Sequence, residues 1–192
     1  MKINIISVSA LAKQVELTNV LYLRPNAREM FNNSIEKYGK PLPGDVFACD
    51  LTDIEDCSGS FVDEFIHNWV RMVRNTENAI FVIIHASEDV LYTISSALNL
   101  RNKLDKDSMS ILAYENGKFS LLGDKIEKNV REVFEFVVTS KRVTVRMVSE
   151  KFSLELNGAS NRLKKLYDAR LVMREEQSIE NGGKYEYFLP QI

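Results

Sequence analysis

The stretch Asp45-Val46-Phe47-Ala48-Cys49-Asp50-Leu51 decides the fold class that we predict for the first part of the chain. Pro43-Gly44 precedes this short apolar run, and the polar segment Thr52 to Gly59 follows it. Continuous apolar runs of this length between turn residues are typical of strands that are buried on both faces. Ala79 to Ala86 is a second run of this kind. We therefore expect an α/β domain with both strands at the centre of its sheet.

Helices are predicted around these two strands. Upstream, Arg24-Pro25-Asn26 begins a helix because proline fits the first helical position, and Gly39 ends it. Downstream, Ser60 begins a long helix with a single apolar stripe. The stripe consists of Phe61, Phe65, Trp69, Met72 and Val73. After the second strand, Ser87 is predicted to cap a helix from Val90 to Leu104.

The remaining front segments are rich in Val, Ile and Leu. Lys2 to Ser9 and Val15 to Leu23 are predicted to be paired strands. Met109 to Leu122 is predicted to be a hairpin that turns at Glu115-Asn116-Gly117-Lys118. The first domain is expected to span residues 1–123.

Two front segments carry a family resemblance. After the predicted strand Asp45 to Leu51, one segment resembles the serine-rich turn and helix of STAS-like domains. It is Ser58-Gly59-Ser60-Phe61-Val62-Asp63-Glu64-Phe65. Leu23 to Phe31 is similar to that family's strand-to-helix segment. The Asp-Ser-Ser-Gly signature of anti-sigma-factor antagonists is absent from the sequence. The resemblance implies a mixed sheet with helices and a domain that senses a protein partner, such as a kinase or another regulator.

The same resemblance implies a phosphorylation site. In the antagonists a serine at the head of this helix is phosphorylated, and Ser60 is its nearest equivalent, with Ser58 as a second candidate. A phosphate there would meet the positive end of the helix dipole, whereas Glu55, Asp56 and the acids of the helix would repel it. The alternative is that Ser60 only caps the helix, with Asp63 completing the cap.

The last third of the chain predicts three helices and a hairpin in residues 124–192. Asp124 and Glu127 are expected to cap the first helix, whose apolar positions include Val130, Val133 and Phe134. A second short helix is expected from Val145 to about Phe152. A third is expected from about Asn157 to Ala169.

The hairpin is predicted from Leu171 to Gln177 and from Tyr185 to Leu189, with a turn at Glu180 to Lys184. Ala159 to Leu166, followed by Ala169-Arg170-Leu171-Val172, resembles the recognition helix and first wing strand of winged helix-turn-helix regulators. The resemblance implies that helix three enters the major groove of double-stranded DNA. Base contacts would come from Asn157, Ser160, Asn161 and Lys164, and phosphate contacts from Arg162, Lys165 and Lys184.

The charge distribution permits DNA binding without requiring it. The net charge is -2, but residues 1–123 carry 12 Lys and Arg against 16 Asp and Glu, and residues 124–192 carry 13 against 11. A strong DNA-binding face is usually far more basic. The alternative is a winged helix that docks a protein, which the acids near the predicted interface favour. These acids are Glu155, Glu175, Glu176 and Glu180.

No catalytic constellation or cofactor motif is recognisable, so we expect a protein that is not an enzyme and holds no cofactor or metal. His67 and His85 are expected to be packed or surface histidines, Cys49 a buried residue and Cys57 a loop residue. The acids between Asp50 and Glu64 fit no known metal loop and are expected to form a solvated rim. They are Asp50, Asp53, Glu55, Asp56, Asp63 and Glu64.

The apolar runs are too short to cross a bilayer, and the start of the chain lacks the pattern of a secretory signal. We expect a cytoplasmic protein. Its predicted function is a transcriptional regulator with a partner-sensing front domain and a DNA-binding winged helix. The alternative is an adaptor in a partner-switching pathway that binds no DNA.

Overall fold

The computed structural model describes residues 1–104, 109–123, 126–177 and 184–192. The chain divides into two compact units, Met1–Lys125 and Ile126–Ile192. The first is an α/β unit built on a mixed five-stranded sheet, and the second combines helices with a three-stranded antiparallel sheet.

The N-terminal unit has its two most buried strands at the centre of its sheet. In chain order its strands are β1 (Lys2–Ser7), β2 (Val20–Leu21), β3 (Asp45–Asp50), β4 (Asp56–Cys57), β5 (Ile80–Ile84), β6 (Ile111–Glu115) and β7 (Lys118–Leu122). The large sheet has the order β1-β3-β5-β6-β7, in which only β7 runs antiparallel to its neighbour. The prediction of β3 and β5 as central buried strands is confirmed.

The helices of this unit pack on one face of the sheet. They are α1 (Val8–Gln14), α2 (Arg24–Tyr38), α3 (Gly59–Phe61), α4 (His67–Arg74) and α5 (Glu88–Leu104). A π-helical turn, Val62–Ile66, joins α3 to α4. Buried residues of all these helices form one apolar cluster with Phe47, Cys49, Phe81 and Ile83, which share one face of β3 and β5.

Most of the predicted boundaries in this unit are confirmed. Pro25 lies in the first turn of α2, and Gly39, with φ +79°, follows its last residue. The hydroxyl of Ser87 accepts a hydrogen bond from Val90 N at 3.3 Å and so caps α5. Asn116 and Gly117 both have positive φ at the β6–β7 turn, as the commonest two-residue hairpin requires.

The predicted pairing of the first two segments is wrong. Residues from Val8 onward form α1, because Ser7 caps this helix through a 3.4 Å contact with Ala10 N, and Val8, Leu11 and Ala12 are buried at helical spacing. Strand β1 pairs instead with β3 in parallel. Only Val20–Leu21 of the second predicted strand is extended, and it pairs with β4. Cys57, predicted to be a loop residue, is 3 % exposed in β4.

The C-terminal unit contains α6 (Lys128–Ser140), β8 (Arg142–Thr144), α7 (Val145–Phe152), α8 (Leu156–Asp168), β9 (Met173–Glu176) and β10 (Tyr185–Phe188). Its sheet has the order β8-β10-β9, and both pairings are antiparallel. The three predicted helices and the two hairpin strands are confirmed. Strand β8 was not predicted, because a three-residue segment has too little pattern and its partner lies more than 40 residues away.

The predicted cap of the first helix of this unit needs correction, and part of the predicted hairpin turn lies outside the described residues. Glu127, not Asp124, occupies the N-cap of α6, and its side chain makes no capping hydrogen bond. Asp124 and residues 180–183 of the predicted turn lie outside the described residues, whereas Lys184 is described and exposed.

Candidate functional site

Helices α7 and α8 form a tight helix–turn–helix pair. Only residues 153–155 separate them, and Ser153 takes the left-handed conformation with φ +51°. Leu154 N donates to the Ser149 carbonyl at 2.9 Å, and the Ser149 hydroxyl donates to the Leu154 carbonyl at 2.6 Å. These two reciprocal bonds close the turn and fix the direction in which α8 leaves it.

Helix α8 has one buried face and one exposed face. Its buried residues are Ala159, Leu163, Leu166 and Tyr167, with exposures between 0 and 4 %. They pack in a unit whose core also contains Val133 and Val148. The opposite face is therefore turned away from the core of this unit.

The exposed face carries the residues for which base contacts were predicted. Asn157, Asn161 and Lys164 are exposed at spacings of four and three residues, and Ser160 between them is half-buried. No side-chain partner for Asn157, Ser160 or Asn161 occurs within the described part of the chain. The α8 face, as we call these four residues, is thus a row of hydrogen-bonding groups, three of which have no side-chain partner among the described residues.

The cations around the α8 face are mostly paired with carboxylates. Lys164 bonds Asp168 one turn later on the same helix, and Lys165 Nζ lies 2.7 Å from Glu127 Oε1. Lys184 Nζ lies 3.3 Å from Glu176 Oε1 on the neighbouring strand. Arg162 is half-buried, and the described residues give it no ion pair. All three pairs join exposed side chains, so each contributes little to stability and exchanges readily for another anion.

An arginine that the sequence analysis missed connects α8 to the hairpin. The guanidinium of Arg174 lies 3.9 Å from the ring centre of Tyr167 at the end of α8, and 4.1 Å from that of Tyr185 on β10. Arginine over aromatic faces is attracted by the ring quadrupole. The alternation of Tyr185 and Tyr187 was a signal for the strand, but only the tertiary structure brings Tyr167 beside it.

The serine-rich turn differs from its prediction. Ser58, not Ser60, is the N-cap of α3, and its hydroxyl accepts from Phe61 N at 3.3 Å. Ser60 is the second residue of the helix and is half-buried. The geometry therefore assigns the capping role to one candidate serine and leaves the hydroxyl of the other outside the cap.

Asp63 and Glu64 are not part of a solvated acidic rim. Arg24 bonds Asp63 at 2.8 Å and Glu64 at 2.9 Å, while Arg101 bonds the other oxygen of Asp63 at 3.0 Å. Arg28 also bonds Glu64, at 3.3 Å. Hydrogen bonds from Arg28 and Arg24 hold the pKa of Glu64 below its usual value. The predicted repulsion of a phosphate near Ser60 is correspondingly reduced.

A histidine–carboxylate pair lies at the carboxyl ends of β3 and β5. His85 Nδ1 is 3.0 Å from Asp50 Oδ1, which also accepts from the backbone and hydroxyl of Thr52. Burial alone would raise the pKa of Asp50, but the bonds from Thr52 and His85 outweigh it and the net shift is downward. His85 has φ +55° and an exposed ring, so it lies beyond the strand in which it was predicted. The other histidine, His67, is 5 % exposed.

Within the described ranges, no group of three or more His, Cys, Asp or Glu residues is arranged to hold a metal ion. Both cysteines are buried free thiols, and burial raises the pKa of each. Across the same described ranges, we find no helix with the length and apolar character that a membrane crossing demands.

Comparisons with protein-family models, with curated proteins and with solved structures produced no match for this chain.

Proposed function

We propose that the chain is a transcriptional regulator whose C-terminal unit is a winged helix-turn-helix that binds double-stranded DNA through the α8 face. The observation that carries this proposal is the pairing of α7 with α8 across a three-residue turn, with Asn157, Asn161 and Lys164 exposed on the outer side. Proteins that read a major groove usually use two helices joined by a short turn, and the second helix presents polar side chains to the bases.

The chemistry of these residues suits base edges. Asparagine can bond an adenine through both its acceptor and its donor, and lysine can donate to guanine. The order β8-β10-β9 places a two-stranded hairpin after α8, as the wing of such regulators requires. Arg174 stabilises this arrangement by stacking between Tyr167 and Tyr185.

The ion pairs of this region are expected to lower the affinity of the proposed interface for DNA. Phosphate would displace Glu127 from Lys165 and Glu176 from Lys184 at little cost, because both pairs join exposed side chains. DNA binding would then be weaker than that of a strongly basic face and sensitive to salt.

Mobility-shift titrations test the proposal with duplexes selected from a random-sequence pool by the full chain. Asn161→Ala and Lys164→Glu should each reduce affinity, about 5- to 150-fold if one base contact is worth roughly 1–3 kcal/mol. Glu127→Gln should instead increase affinity, because it frees Lys165 and removes a charge that repels phosphate. Lys40→Glu, the same charge reversal at an exposed lysine of the N-terminal unit, is the matched control and should have little effect.

For the N-terminal unit we propose a STAS-like role as the domain that senses a protein partner in the cytoplasm, such as a kinase. The sequence motif and the position of Ser58 and Ser60 at the start of α3 support this assignment. Incubation with cell extract and ATP, followed by peptide mass spectrometry, tests it. Phosphate on Ser60 that persists in Ser58→Ala would support the switch, and an unmodified Ser60 peptide would oppose it.

The pairing of Lys164, Lys165 and Lys184 with carboxylates favours a second candidate, an adaptor whose C-terminal unit binds a protein and no DNA. The same titrations separate the two functions. An adaptor would give no shift at low salt and no response to Glu127→Gln, whereas a DNA-binding regulator would give both.

A further inference from the structure

Helix α5 has an outer face on which large apolar side chains are exposed between polar ones. Its inner residues, Val90, Ile94 and Leu98, belong to the apolar cluster on the sheet. On the outer side, Tyr92 and Leu100 are 75 % and 62 % exposed. These two side chains lie two turns apart on the same side of the helix, with polar residues around them.

The spacing on this outer side is symmetric. Five exposed residues follow one another at intervals of 3, 4, 4 and 3, and we call them the α5 seam. They are Asp89, Tyr92, Ser96, Leu100 and Lys103. Intervals of three and four residues keep the five positions on one face of a helix that has 3.6 residues per turn. The seam has the same spacing in both directions from Ser96.

A seam with this symmetry fits a second copy of itself in the antiparallel direction. With the two Ser96 residues on a twofold axis, Tyr92 faces Leu100 of the second copy, about 6 Å along the helix from the axis. Asp89 then faces Lys103 of the second copy, about 10 Å from the axis. The small serine at the centre lets the two helices approach closely. Each contact occurs twice, as in any twofold interface.

The charged residues of the α5 seam favour a second copy of the chain as the partner and the antiparallel direction of packing. Asp89 lies in the first turn of α5 and Lys103 in its last turn, where each complements the helix dipole. Neither residue has an ion-pair partner in the described part of the chain. A parallel pair would place Asp89 against Asp89 and Lys103 against Lys103, so only the antiparallel pair brings opposite charges together.

We propose that the chain forms a homodimer through antiparallel packing of α5 against α5 of a second copy. Tyr92, Leu100 and the neighbouring Leu104, which is 78 % exposed, supply the apolar contact. A contact of one helix per copy buries on the order of 500 Å² on each side, which is at the low end of specific interfaces. The dimer is therefore weak, with a Kd of about 1–100 μM. This inference does not depend on DNA binding by the C-terminal unit.

Sedimentation equilibrium of the full chain over a concentration series tests the proposal. Wild type should pass from monomer to dimer with rising concentration, and Leu100→Glu should remain monomeric. Leu42→Glu, which alters another exposed leucine, is the matched control and should dimerise like wild type. A wild-type chain that stays monomeric up to about ten times the upper Kd bound would overturn the proposal.

A charge exchange tests the direction of packing. Asp89→Lys alone and Lys103→Asp alone should each weaken the dimer, because each places like charges face to face. The double variant restores both pairs and should regain dimerisation above either single variant. Failure of the double variant to regain it, with a circular dichroism spectrum like that of wild type, would contradict antiparallel pairing.

Cross-linking supplies a second readout that does not depend on charge. Ser96→Cys should form an intermolecular disulfide on mild oxidation because the two positions meet at the axis. Cys49 and Cys57 are buried and should not compete. Lys40→Cys, an exposed control position, should give much less dimer. Equal yields from both variants would show random collision and count against the interface.

Discussion

Trp69 and Ser34 form a polar contact inside the apolar cluster of the N-terminal unit. Both residues are 0 % exposed, and the indole N–H donates to the Ser34 hydroxyl at 2.9 Å. That hydroxyl in turn donates to the Phe31 carbonyl at 2.6 Å. A buried indole N–H without an acceptor carries a desolvation cost, so the serine specifies the orientation of the largest side chain in the core.

Ser34→Ala should lower the free energy of unfolding by about 1–3 kcal/mol, because it leaves the Trp69 N–H buried without an acceptor. The measurement is urea unfolding followed by the fluorescence of Trp69, the only tryptophan. Ser120→Ala, at an exposed serine of β7, is the control and should change stability by less than about 0.5 kcal/mol. Equal effects of the two substitutions would show that the buried bond contributes nothing.

Glu64 should make the stability of the N-terminal unit depend on pH. Its pKa is lower in the folded state than in the unfolded chain, because Arg28 and Arg24 donate hydrogen bonds to its carboxylate. Its stabilising contribution is therefore present above the unfolded value of about 4.3 and is lost as the pH falls through the folded pKa. Glu64→Gln should be less stable than wild type at neutral pH, and the two should converge in acid.

Urea midpoints measured across a pH series check this expectation. Glu29→Gln, at an exposed glutamate of α2 without an ion pair in the described residues, is the control and should follow wild type. A difference between Glu64→Gln and wild type that stays constant down to strongly acidic pH would contradict the role of the ion pairs.

At the level of elements, a short left-handed turn determines where α8 lies. Ser153 occupies a conformation that costs a non-glycine residue about 1–2 kcal/mol, yet the Ser149–Leu154 bonds and the apolar face of α8 hold the turn in place. The strain at Ser153 is thus compensated by the packing of Ala159 and Leu163 against the rest of the unit.

Ser153→Gly should stabilise the C-terminal unit by about 0.5–1 kcal/mol. Glycine adopts positive φ without strain, and part of this gain is offset by its greater freedom in the unfolded chain. Thermal unfolding followed by circular dichroism measures the change. Glu150→Gly, at an exposed right-handed position within α7, should be destabilising, and a stabilising effect there would show that the first result has another origin.

Whether an element could be predicted from the sequence depends on how much local pattern that element contains. Helix α8 was predicted because its apolar residues recur at helical spacing, and α2 and α5 also because their ends carry Pro, Gly or Ser. Strand β8, with three residues, has no such pattern and exists because Tyr187 and Glu186 of β10 pair with it. Val8 and Ser9 were assigned to the end of the first strand on composition, although Ser7 and the spacing of Val8 and Leu11 favour a helix.

The whole molecule carries its charge unevenly. Residues 1–123 have an excess of acids and residues 124–192 an excess of bases, while the total is -2. Nucleic acid would therefore be attracted only locally, by the cations around α8. The proposed contacts of Arg162, Lys165 and Lys184 with phosphates set the expected response to salt.

With three phosphate contacts, the plot of log affinity for duplex DNA against log salt concentration should have a slope of about -2.7. Lys165→Ala should reduce the magnitude of this slope by about 1, and Lys40→Ala should leave it unchanged. Fluorescence anisotropy at several salt concentrations gives both slopes. Binding that is insensitive to salt would contradict an interface built on these three cations.

Local sequence patterns were sufficient to predict the elements of each half, which are an α/β unit around two apolar strands and then three helices with a hairpin. Periodicity and turn residues are local properties, and they act through contacts between near neighbours in the chain. The tertiary structure alone decided that β1 pairs with β3, that Arg24 and Arg101 converge on Asp63, and that Arg174 stacks between Tyr167 and Tyr185. These contacts join residues far apart in sequence, and their energies depend on burial and orientation that no single segment specifies.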